Sequence, residues 1–385
     1  MDTFNFYRFN DYIVSQSRSR ICVTSKSTQS VILGRYILGR IIQGVVLTLL
    51  VLVSISLFFI FIGELDDIGR GYYNMVHIGE YIVLRIPGKV VEFMPLAVLI
   101  GTILSLGGLA SNSEIIAMQA SGVSVAGLLR SVILSAILLA FLTFLVADFV
   151  VPVSETSARA SRTSAITNTP AIIGKKGIWI KDANQVIHIN LLRPGGRAEG
   201  IEIYGLDEDG KLVQTLIAKT AILTEDQWRL ETVRSLIYRQ DSVQNESFDE
   251  LIYTGKISNK LLDALLIEPR RMSSVDLYDY KTFLVKNNLD NSVESLTFWQ
   301  KVFAPLTVIV MCLLAVPFVL GSQRQGNTGQ RLIIGILLGL TYFVTSRLIT
   351  QFGIQINLLP VINAIAPTVL FFILSIYLLY RKANS

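Results

Sequence analysis

Cysteine is nearly missing from this 385-residue chain, and charge is scarce. Cys22 stands in a polar N-terminal stretch and Cys312 inside a long apolar run, which gives them no reason to pair; the polar region between the apolar runs has no cysteine at all. That region must therefore hold itself together by packing, without a disulfide or a thiolate metal site. Only two histidines are present, His77 and His188, with no H-E-x-x-H or His-Cys spacing, so metal catalysis has no support. A phosphate-cradling Walker loop is missing too. The nearest approach, Gly34 to Gly39 followed by Arg40 and Ile41, lacks the lysine and the hydroxyl and runs into an apolar stretch. Ser124, near Gly122 and Gly127, misses the spacing of a nucleophile elbow. These absences point away from an enzyme and away from a nucleotide site or cofactor in this chain.

Charged residues make up 16% of the chain and hydrophobic ones 51%, whereas about a quarter of an ordinary soluble domain is charged. Charges almost vanish from several long windows and crowd between about Glu155 and Lys301, as expected of a chain dissolved partly in lipid and partly in water. The net charge of +5 comes from Arg and Lys flanking apolar runs. It is a topology signal and not a nucleic-acid footprint, because no basic stripe interleaved with aromatics occurs in the polar part.

Six windows read as spans. The run from Ile41 to Gly63 is uncharged and long enough, at about 1.5 Å per residue, to cross an apolar core of about 30 Å. Phe93 to Ser113 follows Pro87 and carries Pro95 near its start; Ser131 to Ala147 continues past Asp148 to Val151. Val302 to Gln323, Leu332 to about Ile349 with Arg347, and Leu358 to Tyr380 complete the set, with Gly353, Asn357 and Pro360 separating the last two. Met1 to about Ser30 is too long and too charged for a cleaved signal and reads as a cytoplasmic tail. Arg35, Arg40, Arg381 and Lys382 place both termini in the cytoplasm, which puts Ser111 to Arg130 inside and the polar middle outside.

That middle has strand grammar. Ile178 to Ile180 and Val186 to Ile189 flank a polar turn; Ile201 to Leu206 and Leu212 to Ile217 flank Asp207-Glu208-Asp209-Gly210; Thr220 to Thr224 and Trp228 to Tyr238 add two candidates. Val275, Tyr278, Phe283 and Leu284 behind Ser274 suggest a connector helix capped by that serine. The expected fold is membrane α-helical, six transmembrane helices in two sets of three, with an inserted periplasmic all-β jelly-roll-like domain. The expected divisions are a tail over 1–30, spans one to three over 31–151, the β domain over 152–272, a connector over 273–300 and spans four to six over 301–382.

Several strings carry a resemblance: Ser113-Glu114 with Met118-Gln119-Ala120-Ser121-Gly122 after span two, Gly177-Ile178-Trp179-Ile180-Lys181-Asp182, Gly200-Ile201-Glu202-Ile203-Tyr204, and Trp228-Arg229-Leu230. From about Val31 to Lys382 the chain resembles the lipopolysaccharide transport permease family, the LptF/LptG pair. The resemblance implies one half of an ABC exporter in the bacterial inner membrane. An LptF-like permease would be its heterodimer partner, and an LptB-like ATPase dimer would bind the ATP and magnesium. Lipopolysaccharide would be extracted and passed to periplasmic LptC and LptA.

It also implies sites. A cytoplasmic coupling helix at about 111–127 would meet the ATPase through Glu114, Ile115, Ile116, Met118, Ser121 and Gly122; the plainer alternative is an ordinary interfacial helix. Lipid phosphates need guanidinium or ammonium groups, and Arg159, Arg162, Arg347, Lys89 and, less so, Arg85 are the candidates. The chain departs from the family pattern at Ile60, Asp66 and Asp67, where basic residues are expected. Two acids there repel phosphate unless a divalent cation bridges them. Two other classes are an ion-driven secondary transporter, which needs partnered acids at mid-membrane, and a membrane-anchored scaffold or sensor, which leaves the string after span two unexplained.

Overall fold

The computed structural model describes residues 5–122, 124–167, 175–182, 185–193, 197–207, 210–224, 227–239, 242–253, 269–286, 290–320 and 328–383. Helix α1 (Asn5–Leu65) takes in most of the stretch read as a tail and all of the first span. Helix α2 (Met75–Ser111) follows a tight turn. Helix α3 (Glu114–Ala120) is short. Helices α4 (Val125–Leu145) and α5 (Val151–Thr167) are joined through a π-helical turn at Val146–Val150. Beyond the sheet come α6 (Ser274–Lys286), α7 (Ser292–Leu320), α8 (Thr328–Gln355) and α9 (Pro360–Ala383).

Among the described residues, six helical segments are long and apolar enough to cross a membrane: Leu33–Leu65, Met75–Ser111, Gly127–Ile166, Ser292–Val319, Gly329–Gln355 and Pro360–Arg381. The first and fifth bury the smallest shares of their apolar windows within this chain. Ile37, Ile41 and Val45 form an inward stripe of α1, spaced one helical turn apart, and pack with Val98, Leu106, Val132, Cys312 and Val316. Outward from that stripe, Leu47, Leu50, Phe58 and Phe59 are exposed.

The second span starts earlier than the sequence suggests. Pro87 and Pro95 both lie inside α2, and Asn74 caps the helix by accepting from the N–H groups of Val76 and His77. Packed neighbours can compensate the hydrogen bonds a proline deletes from a membrane helix. The fourth span likewise begins at Ser292, where the Asp290 carboxylate accepts from the Ser292 N–H and hydroxyl.

The inserted domain is built on a six-stranded antiparallel sheet, in order β1 to β6: Lys175–Asp182, Gln185–Arg193, Arg197–Leu206, Leu212–Thr224, Gln227–Arg239 and Ser242–Tyr253. Leu212 to Ile217 and Thr220 to Thr224 prove to be one strand. Gly210 takes φ +77° in the β3–β4 turn, where its N–H donates to the Asp207 carbonyl, a backbone that favours glycine. Strand β6 escaped the sequence reading because residues 242–250 are exposed and, apart from Val243 and Phe248, polar, with no alternating pattern.

One face of the sheet, with Ile187, Ile189, Ile201, Ile203, Val233 and Leu230, packs on Met272 and on Leu277, Tyr280 and Leu284 of α6. The apolar stripe of α6 is therefore Leu277, Tyr280 and Leu284, while Val275 and Tyr278 are exposed. Its cap is Ser273, whose Oγ accepts from the Asp276 N–H, and not Ser274. The Ser274 N–H donates to Asp148 at 2.7 Å. A π-helical turn thus aims the Asp148 carboxylate of the third span at the first residue of the connector helix.

Candidate functional site

The polar chemistry of the membrane body gathers at its two ends. At the end nearest the sheet, Arg162 of α5 reaches across to α1. Its Nε donates to Glu64 at 2.7 Å and a terminal nitrogen donates to Asp67. Tyr73 donates to the same Glu64 at 3.0 Å, and Arg70 pairs with Asp67 at 2.5 Å. Burial and the bond to Glu64 push the Tyr73 phenol well above its usual range. The Tyr72 N–H donates to the Ala165 carbonyl, so the turn after α1 is pinned to α5 by backbone as well.

This answers the question raised by the acids. Asp67 is no bare negative charge but one arm of an ion-paired cluster in which two arginines meet it, and Glu64, 9% exposed, shares the load. Asp66 is exposed and Ile60 half-buried.

A second cluster lies about two turns back along α5. Glu155, 6% exposed, accepts from Arg85 of α2 at 2.5 Å and lies 3.6 Å from Arg271, at the turn that leads into α6. Gly88 makes room for it: a Cβ there would sit 2.5 Å from the Glu155 carboxylate. Tyr81 lies between the clusters, with the Arg85 and Arg162 guanidinium groups 5.7 and 5.9 Å from its ring. Lys89 pairs with Glu92 at 2.7 Å. Arg159 is half-buried on α5. Arg347 is on another helix, α8, exposed and 5.3 Å from the Phe343 ring.

Arg85, Arg159, Arg162 and Lys89 thus lie on two packed helices, α2 and α5, and Arg347 stands apart. Sequence reasoning missed Glu64 and Glu155, the carboxylates that hold Arg162 and Arg85, and Arg271, a further cation beside Glu155. The one available signal was that acids recur near the same span ends.

At the opposite end, α3 packs beneath α1 and α2. Ile115 and Met118 are buried in this chain's own core beside Ile37 and Ile41, so they fasten α3 to the bundle and are not free to anchor a partner, as the sequence suggested; Ile116 is exposed. The Ser121 hydroxyl closes the helix on the Met118 carbonyl, and Gly122 follows with φ +93°. Glu114 is half-buried and accepts from the Tyr36 hydroxyl of α1 at 2.7 Å. Arg331 of α8 is 5% exposed, with its guanidinium on the Gly107 carbonyl. The absence of a Cβ at Gly107 admits it.

Six apolar helices in two sets of three, around an inserted antiparallel sheet, define a multi-pass membrane protein. The family described as Lipopolysaccharide export system permease LptF/LptG matches residues 35–381, and the chain belongs to that family. It is similar to the lipopolysaccharide export system permease protein LptG of Escherichia coli K12, 31% identical over 355 residues, covering 91% of this chain and 99% of that protein. The LptG protein of Haemophilus influenzae Rd is similar to the same extent, 31% over 355 residues. The chain is a permease component and not itself an ATPase.

Proposed function

We propose that this chain is the LptG-type half of a lipopolysaccharide exporter in the inner membrane. It works with an LptF-like second permease subunit and an LptB-like ATPase dimer, and hands lipid to LptC and LptA. The observation that carries this reading is the family match over residues 35–381 of a chain with six spans and a β insert. Both termini and α3 face the cytoplasm in this reading, and the sheet faces the periplasm. The exposed apolar faces of α1 and α8 suit a lipid cavity shared with the second subunit.

Lipid phosphates are taken up by Arg159, Arg162, Arg347 and Lys89. Arg162 is held by two carboxylates, so a phosphate must compete with Glu64 and Asp67 for the guanidinium. Charge-assisted bidentate contacts suit that exchange. Any divalent cation that travels with the lipid would be drawn to the acids so released.

The test is site-specific photocrosslinking to lipopolysaccharide from Ile60, Arg159, Arg162 and Arg347 in membranes with ATP present. Crosslinks are expected from Arg159 and Arg162. Silence at all four positions would overturn the head-group placement, and failure of an ATPase to co-purify with the full chain would overturn the exporter itself.

A further inference from the structure

The cytoplasmic end of the first span is tied to α3 by side chains whose only evident purpose is to meet. Tyr36 and Arg40 sit one helical turn apart on α1, beside the buried pair Ile37 and Ile41. The Arg40 Nε and a terminal nitrogen donate to the Tyr36 hydroxyl at 3.1 and 3.0 Å, and that hydroxyl donates to Glu114 at 2.7 Å. A phenol has one proton to give and two lone pairs to receive with, so Tyr36 is fully used. The guanidinium also lies 5.2 Å from the Tyr36 ring. A charged donor polarises the phenol towards a charged acceptor, which makes the Arg40–Tyr36–Glu114 chain stronger than three separate contacts.

The rest of α1 here is fixed to α2 by backbone. Ser105 donates to the Arg40 carbonyl at 2.8 Å. Gly44 and Gly101 cross so closely that a Cβ on Gly101 would lie 2.6 Å from the Val45 backbone. Movement of Glu114 therefore has a direct route into the first span, separate from the covalent route through α2. Further along, that span has little side-chain burial to resist motion, until Arg162 holds its far end.

We infer that Tyr36 is a positioning residue: it holds the Glu114 carboxylate and links α3 to the first span, so that displacement of α3 by a bound ATPase is passed to α1. This rests on the reading of α3 as the ATPase contact. A partner cation arriving at Glu114 competes with Tyr36 for the carboxylate, and the freed hydroxyl and Arg40 then release or re-aim α1.

The experiment uses the full complex with its ATPase in proteoliposomes, and reads lipopolysaccharide released per ATP hydrolysed. Tyr36→Phe keeps the ring and removes the hydroxyl. The expected result is an ATPase that still co-purifies in normal stoichiometry, with transport per ATP reduced about threefold to tenfold. Glu114→Gln combined with Tyr36→Phe should be no worse in that ratio than the more severe single variant, because both cut one chain of contacts.

An unchanged ratio in Tyr36→Phe, or additive losses in the double variant, overturns the inference. Loss of assembly in Tyr36→Phe while Glu114→Gln assembles makes Tyr36 a structural residue and overturns it too. Failure of the unmodified chain to retain an ATPase sinks the underlying reading instead, so the two failures are distinguishable.

Discussion

Arg162 ties down the end of the first span nearest the sheet. It meets Glu64 and Asp67 together, in a setting where the Glu64 side chain is 12% exposed. Removing one partner of such a cluster leaves a half-buried carboxylate short of donors, which costs more than the intact pair contributes. Arg162→Met should lower stability by about 1–3 kcal/mol, read as a fall in the thermal unfolding midpoint of the purified protein. Adding Glu64→Gln to that variant should recover part of the loss, since the stranded charge is gone. Equal midpoints for Arg162→Met and the parent would mean that solvent screens the cluster and the tie is weak. The sequence named Arg162 for its charge and its place beyond span three. That Glu64 and Asp67 would neutralise it depended on α5 folding back against the end of α1, which no local pattern encodes.

At the scale of elements, the crossing of α1 and α2 brings backbone against backbone. Gly44 and Gly101 let two backbones touch, and small residues at such crossings are how membrane helices approach without a hydrophobic driving force between them. Gly101→Ala should destabilise by about 1–3 kcal/mol through overpacking, while Gly39→Ala, whose new methyl meets nothing within 4 Å, should stay within about 0.5 kcal/mol of the parent. Thermal unfolding of both variants in the same detergent separates the two; equal behaviour would show that the joint yields. Both glycines look alike in the sequence. Only the packing distinguishes a glycine that admits a neighbour from one that faces open space.

For the molecule as a whole, the decisive question is which side of the membrane carries the sheet. The proposed topology, resting on the basic residues around the first and last spans and an even span count, has both termini in the cytoplasm and residues 175–253 outside. A reporter active only in the periplasm, inserted at Gly210 in the exposed β3–β4 turn, should be active, and the same reporter fused after Ser385 should be silent. The reverse pattern would invert the protein and remove α3 from reach of any cytoplasmic ATPase.

What the sequence determined by itself was the division of labour between solvents. Apolar runs long enough to span and an alternating pattern over Trp228 to Tyr238 are local properties, and they survive folding because each element must satisfy its own backbone hydrogen bonds in lipid or in a ladder. The order of parts also carried the family resemblance. Tertiary structure alone decided what the charged side chains do. Glu114 meets Tyr36 across 78 positions and Arg162 meets Glu64 across 98, pairings that arise only when helices pack. It also turned Ile115 and Met118 inward and buried Arg331 against Gly107. A charge or an apolar side chain is visible in a sequence, but its partner is set by geometry.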